Sequence, residues 1–283
     1  MKKIALASTL ALALAGFGGC QQDNRNLEKK IDDLTAKVNA LGDKMTQVAA
    51  AAGRPGPGQQ QQRPQRPQPD PTKAYAVPVD GDPFEGPADA KVTIIKAYDY
   101  MCPFCDRVRP TMDELRKKYG NDVRVVFKQF VVHPQAQIAH LAACAANKQG
   151  KFLEMDKLLW EKAFQTRQYD DAHIADLGKE AGVDAARFAA DMKSQDCQNW
   201  LQKDQNELTT FGVGATPSFF INGRFLSGAQ PLPAFTALVD EELAKANQRI
   251  SAGTPAADYY KTWVIEKGEK KLPSPDAPVV KAQ

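Results

Sequence analysis

The sequence predicts an α/β fold with a long run of helical patterns between its strands, and three observations carry that expectation. An apolar run of strand length, Val92–Tyr98 (VTIIKAY), leads into Cys102-Pro103-Phe104-Cys105. Val108, Met112, Leu115 and Tyr119 then recur at helical spacing. A second apolar run, Val123–Phe130 (VRVVFKQF), follows, so strand, helix and strand imply a right-handed parallel unit. Strand character returns much later, at Ser218–Asn222 and Arg224–Ser227 about an Asn222-Gly223 turn, and helical patterns fill the interval.

From its start the chain reads as follows. Met1-Lys2-Lys3 and the mostly apolar Ile4–Phe17 are too short to span a bilayer and fit a secretory signal. Phe17-Gly18-Gly19-Cys20 resembles a bacterial lipoprotein signal, cut before a cysteine that becomes acylated, although Phe17 stands where leucine is usual. On that reading residues 1–19 are a signal peptide and Cys20 is a lipid anchor to the membrane. The other reading is cleavage after Ala13-Leu14-Ala15, which leaves Cys20 a free thiol. Cysteine arithmetic favours the first: of five cysteines, a lipidated Cys20 leaves an even four for an oxidising compartment. The formal charge of +3 is near neutral and gives no argument for nucleic acid.

Leu27, Ile31, Leu34, Val38, Leu41, Met45 and Val48 alternate at spacings of 4 and 3, a short heptad seam. Branched residues at a with leucine at d lean toward a parallel homodimer through 27–48. Lys30, Lys37 and Lys44 at g face no charge at e, so a trimer or a single helical spacer also fits. Residues 20–52 are thus expected to hold the anchor and the coiled coil. The stretch GRPGPGQQQQRPQRPQPDP offers no apolar side chain larger than proline, and 53–72 is expected to be a disordered Pro/Gln linker. A folded domain is expected over 73–268, long enough for one sizeable core, before a Pro-rich tail at 269–283.

Inside the domain Val77–Val79 is expected as a short edge strand, ahead of a Gly-Asp-Pro turn. Helical patterns cover Gln135–Lys148, Lys151–Phe164, Asp171–Ala181, Ala185–Met192 and Gln198–Phe211, punctuated by Gly150, Gly182 and Gly212. A last long amphipathic helix spans Leu232–Gln248, and Tyr259–Glu266 reads as one more short helix.

The chemistry lies in Cys102 and Cys105. Free N–H groups and the positive end of a helix stabilise a thiolate at the first cysteine, lowering its pKa from about 8.5. Cys102 is then the nucleophile and Cys105 the resolving thiol that closes an internal disulfide. Half of a zinc site is the competing reading, but no second C-x-x-C exists and His133, His140 and His173 are scattered. The exchange chemistry calls for no metal and no other cofactor.

With Thr216-Pro217 opening the later strand, the arrangement resembles a thioredoxin fold, and more closely the DsbA-like thiol-disulfide oxidoreductases of the bacterial envelope. The stretches DPFEGPADAKVTI, DYMCPFC, VRVVFKQF, AACAANKQGKFLEM and GVGATPSFFINGRFLSGAQP carry that likeness, and Pro110 matches a kinked active-site helix. The resemblance implies a helical subdomain inserted at about 134–211. It also implies Pro103 and Phe104 as the tuning dipeptide and a cis Pro217. Thr216 is then the residue that meets an extended substrate. Two departures matter. Lys96 stands where many members carry a buried acid; it either lowers thiol pKa by its charge or is itself neutralised by burial. Phe104 cannot donate a hydrogen bond to the Cys102 sulfur as a histidine there would. Cys144 and Cys197 read either as core thiols or as a structural disulfide, and His133 either lines the groove or caps the inserted helix.

The expected function is exchange of disulfides with cysteine-containing envelope proteins on the periplasmic side, in partnership with a membrane quinone-linked oxidase or an electron donor. The overall likeness leans toward an oxidase. The heptads and Thr216 lean toward an oligomeric isomerase or reductase, and a Cu(I)-binding envelope chaperone is the alternative from another class.

Overall fold

The structure, a computed structural model, describes residues 19–51 and 68–272. The expected signal segment before Gly19, most of the expected linker and the tail beyond Leu272 lie outside the described residues. The chain divides into two units, Met1–Gln65 and Arg66–Gln283. In the first, one helix, α1, runs Gly19–Ala51 and takes in Cys20 and the whole heptad. Its a and d side chains stand open to solvent, from 53% exposure at Ile31 to 68% at Val48.

The second unit is built on a five-stranded sheet. Its strands are β1 (Phe84–Glu85), β2 (Val92–Tyr98), β3 (Val123–Gln129), β4 (Ser218–Ile221) and β5 (Arg224–Ser227), in the order β1-β3-β2-β4-β5. Central β2 pairs parallel with β3 and antiparallel with β4; β1 and β5 close the two edges antiparallel. A mixed sheet follows from the connections. The β2–β3 crossover carries helices α2 (Pro103–Arg107) and α3 (Arg109–Tyr119), whereas β4 and β5 are joined by a tight hairpin. Asn222 and Gly223 both take positive φ there, 43° and 85°. A Cβ on Gly223 would fall 2.7 Å from the Tyr75 carbonyl oxygen, so only glycine fits. The Asn222 side chain locks this hairpin to β2, accepting from Thr93 N at 2.8 Å and donating to Lys91 O at 3.1 Å.

Side chains alternate across β2, and each face has its own core. Val92, Ile94 and Tyr98 join the helical insert, α3 and the first half of α9 (Leu232–Ser251). Ile95 and Ala97 join Tyr75, Val77, Leu208, Phe220 and the C-terminal Tyr259, Tyr260 and Val264. Each wholly buried side chain such as Ile94 or Phe219 contributes about 1.5–3 kcal/mol.

The insert comprises α4 (Gln137–Asn147), α5 (Phe152–Leu158), α6 (Asp171–Ala181), α7 (Ala185–Met192) and α8 (Gln195–Thr210). Asp170, Asp184 and Ser194 cap the last three through their side chains. This is a thioredoxin fold with an inserted helical subdomain, as the sequence predicts.

Several local expectations need correction. Val77–Val79 is not a strand; it packs into the second core, and the edge strand falls at Phe84–Glu85 instead. The helix after the cysteines is two helices, broken at Val108 because Pro110 has no N–H to donate one turn back. Leu159–Phe164 continues α5 with π-helical geometry, and Tyr260–Ile265 does the same after α10 (Ala256–Tyr259). The fold also reaches past both expected boundaries. At the start of the domain the Tyr75 hydroxyl accepts from Asp70 N at 2.7 Å. Glu269 exchanges backbone hydrogen bonds with Ala74 and Ala76 at 2.8 and 2.9 Å, so the tail begins inside the structure.

Candidate active site

Cys102 occupies the N-cap of α2 with extended backbone (φ −79°, ψ 116°), and Pro103 begins the helix where no N–H is needed. The Cys102 N–H donates to the Asp99 carbonyl at 3.0 Å, and the Cys102 carbonyl accepts from Cys105 N at 3.1 Å and Asp106 N at 3.3 Å. Both thiols are free and buried. Opposite them the Thr216–Pro217 peptide bond is cis, and the Cys102 Sγ lies 3.3 Å from the Thr216 carbonyl oxygen.

The two thiols are driven apart electrostatically. A hydrogen bond from the Cys105 thiol is the largest influence on Cys102. Together with the Thr216 side chain and the N–H groups of Cys105 and Phe104, it outweighs burial and brings the pKa down to about 6. Burial pushes the Cys105 thiol well up, and its hydrogen bond to Cys102 adds to that. One sulfur is therefore a ready thiolate at neutral pH and the other holds its proton. Phe104 is 49% exposed and points no donor at the sulfur.

Lys96 lies beneath this pair, wholly on the face of the helical insert. It is 3% exposed, with Nζ 4.9 Å from the Tyr98 ring centroid and 5.6 Å from those of Phe127 and Trp160. Burial lowers its pKa, and Asp156 is the strongest pull the other way. Of the two expectations for Lys96, burial thus decides the direction of its shift, although its charge still pulls Cys105 down against a larger desolvation effect. Asp156 comes from α5, and burial raises its carboxyl while Lys96 and the Tyr100 hydroxyl oppose. Lys96 and Asp156 both line a cavity of about 420 Å³, together with Arg109 and Asp113. From Asp156 a line of hydrogen bonds runs inward. The Tyr100 hydroxyl donates to it at 2.8 Å, Tyr98 meets Tyr100 at 3.0 Å, and Gln129 donates to Tyr98 at 2.8 Å. His140, which burial holds near pKa about 4, closes the line on Gln129.

Asp156, Tyr100 and Asp99 were not singled out from the sequence. Asp99 is fully buried and accepts from Met101 N, Val132 N and His133 N at 2.7, 2.6 and 2.9 Å. A carboxylate one residue past a buried strand was the only available signal for it. Asp156 gave none, being sixty residues from Lys96 in sequence. The histidine expectation is settled in geometry: His133 precedes the 3₁₀ turn Pro134–Ala136 without a side-chain cap, and its Nδ1 meets Asp99 at 3.1 Å. Cys144 and Cys197 are joined in a disulfide, Cα atoms 5.6 Å apart, that ties α4 to the first turn of α8. Cys197 therefore lies inside that helix rather than ahead of it. No cluster of three or more metal-ligating side chains occurs among the described residues.

A dithiol at a helix N-terminus facing a cis-proline loop, on a thioredoxin-type sheet with a helical insert, defines a DsbA-like thioredoxin-fold protein. Residues 79–241 match the thioredoxin family, and the chain belongs to it. Among solved structures, BdbD from Bacillus subtilis superposes with a TM-score of 0.57 at 20% identity, over 63% of this chain and 100% of that one. The catalytic domain of Proteus mirabilis ScsC gives 0.52 at 26% identity, over 60% and 93%. In sequence the chain is 33% identical over 167 residues to the Na(+)/H(+) antiporter NhaA of Herminiimonas arsenicoxydans. That match spans 58% of this chain but only 26% of the antiporter. No described helix here is long and apolar enough to cross a membrane.

Proposed function

We propose that the chain is a thiol-disulfide oxidoreductase that exchanges disulfides with cysteine-containing proteins of the bacterial envelope through Cys102 and Cys105. The observation that carries this reading is the split between the two thiols, one lowered to about 6 and the other raised, opposite a cis-proline loop. In the reducing direction the Cys102 thiolate attacks a substrate disulfide, forming a mixed disulfide and releasing one substrate thiolate. Cys105 then loses its proton and attacks the Cys102 sulfur, closing the 102–105 disulfide and releasing the second thiolate. Oxidation of a substrate runs the same steps backward.

A thiolate stabilised at Cys102 favours the reduced protein and hence a potential on the oxidising side, which supports the oxidase direction. The proton of Cys105 needs an acceptor, and Asp156 with Lys96 at the floor of the cavity is the pair we assign to that task. Thr216 and Pro217 form the edge along which an extended substrate docks. Placement in the periplasm, a lipid anchor on Cys20 and a redox partner in the membrane rest on the first twenty residues and the oxidase reading. The exposed seam of α1 supports a parallel homodimer, since seven unpartnered apolar side chains gain from covering one another.

The test is trapping. Cys105→Ala should accumulate mixed disulfides with oxidised client proteins, and Cys102→Ala should form none. Trapping through Cys105 instead, or through neither, would discard the reading. Sedimentation of the chain from Gln21 onward tests the homodimer, which a monomer at tens of micromolar would exclude.

A further inference from the structure

The surface around the dithiol carries guanidinium groups that the exchange chemistry does not use. Arg107, exposed one helical turn after Phe104, stacks on that ring at 4.8 Å from its centroid. Arg167, also exposed, stacks on Phe164 at 4.0 Å, and its Nη1 reaches the carbonyl of Met101, the residue before Cys102, at 3.4 Å. Among the described residues neither has a carboxylate at ion-pair distance. The acids close by are already committed. Asp106 pairs with Arg109 at 3.2 Å and receives Gln165 at 3.5 Å, while Asp99 is taken up by three backbone N–H groups.

Their placement is built into the fold. Stacking on a ring restricts a guanidinium while leaving its in-plane N–H groups free to grip a carboxylate. Arg167 also adopts φ 58°, a region that side chains with a Cβ disfavour. That turn follows the π-helical stretch Leu159–Phe164 after two further helical residues, held by Gln168 N on the Ala163 carbonyl at 3.2 Å, and it delivers the side chain to Met101.

We propose that Arg107 and Arg167 are specificity-determining residues that select substrates with acidic side chains beside the reacting cysteine. The proposal rests on the disulfide-exchange reading above. An extended peptide whose cysteine meets Cys102 advances about 3.3 Å per residue, which brings its neighbours within reach of both guanidiniums. Exposed ion contacts are each worth a factor of a few, and the uncompensated positive rim adds steering of anionic substrates.

The experiment uses the reduced full chain and two short peptides. In each the cysteine is joined by a disulfide to 2-mercaptoethanol, flanked by aspartate in one peptide and by lysine in the other. Reduction yields peptide thiol, 2-mercaptoethanol and the 102–105 disulfide. Rates are divided by those of the neutral reductant dithiothreitol with the same peptides. The aspartate peptide should react about tenfold faster at low salt, with the advantage shrinking at high salt. The advantage should fall to about twofold or less in R107Q/R167Q and reverse in R107E/R167E. It should persist in Arg249→Gln, which removes another exposed guanidinium, stacked on Trp263 at 3.9 Å. A wild-type ratio near one, or a ratio that survives the double substitution, overturns the proposal. If the chain reduces neither peptide nor neutral 2-hydroxyethyl disulfide, the exchange reading itself falls and takes this one with it.

Discussion

Two lysines lie buried on adjacent strands of the same sheet, and their surroundings give them opposite character. Lys96 on β2 opposes Phe127, while Lys128 on β3 opposes Ala97, so alternation sends them to opposite faces. Lys128 Nζ sits 2.7 Å from Asp82, 2.8 Å from Asp204 and 2.8 Å from Glu207. Burial works against its charge, but Asp204 and Asp82 raise its pKa, and it stays a cation. It clamps the segment before β1 and helix α8 onto β3. Lys96 has three aromatic rings around it and, among the described residues, no carboxylate at ion-pair distance; Asp156 and, more weakly, Asp113 oppose the burial that lowers its pKa. The difference teaches that a buried charge is structural or labile according to the number of counter-charges that share its burial. The fully compensated lysine faces the core behind the sheet, and the under-compensated one lies under the dithiol.

The largest expected effect separates the two directly. Lys128→Met strands Asp82 and Asp204 without a cation and should cost about 3–5 kcal/mol in denaturant unfolding. Lys96→Met, which removes a charge that burial already opposes, should cost less than about 1.5 kcal/mol. Equal losses would erase the distinction.

Proton linkage gives the next effect. Burial pushes Asp204 up to about 7, against the pull of Lys128, so the folded chain binds that proton more tightly than the unfolded chain. Its contribution to stability must therefore decline as pH rises from about 4, the ordinary aspartate value, through about 7. Subtracting the pH profile of Asp204→Asn from that of wild type should reveal this decline; a rising or flat difference contradicts the assignment.

On the other face, Asp156→Asn removes the carboxylate that opposes Lys96 and, on the proposed proton route, the acceptor for Cys105. Closure of the 102–105 disulfide, followed by stopped-flow fluorescence at pH 7, should slow by at least tenfold. An unchanged rate would remove Asp156 from the route. The smallest effect sharpens where Lys96 acts. Alkylation of Cys102 should titrate with a midpoint near its pKa of about 6 and faster at higher pH, because the thiolate is the reacting form. In Lys96→Met that midpoint should move by less than about 0.5 units, since the charge bears on Cys105 rather than on Cys102.

Legibility divides along the same lines. The strands, the helix starts at Asp171 and Ala185 and the Asn222-Gly223 hairpin were readable because their signals are local: alternation, caps and turn residues within a few positions. The seam of α1 was readable for the same reason, as seven apolar residues at heptad spacing. Val77–Val79 was misread because its short apolar run packs as an irregular segment against Tyr260 and Val264, nearly two hundred residues away. The break at Val108 was half visible in Pro110, and nothing local marks the π-helical Leu159–Phe164.

By itself the sequence determined the class of fold, the dithiol at the start of a helix and the threonine-proline pair. Each of these is encoded by spacing within a short window and by backbone preferences of proline and glycine. Only the tertiary structure decided that Asp156 faces Lys96, that Asp82 and Asp204 share Lys128 and that Cys144 reaches Cys197. It also decided that Arg167 reaches Met101 across from the insert. Such pairings depend on how distant elements pack, and a charge carries no mark in sequence of the partner that burial will assign to it.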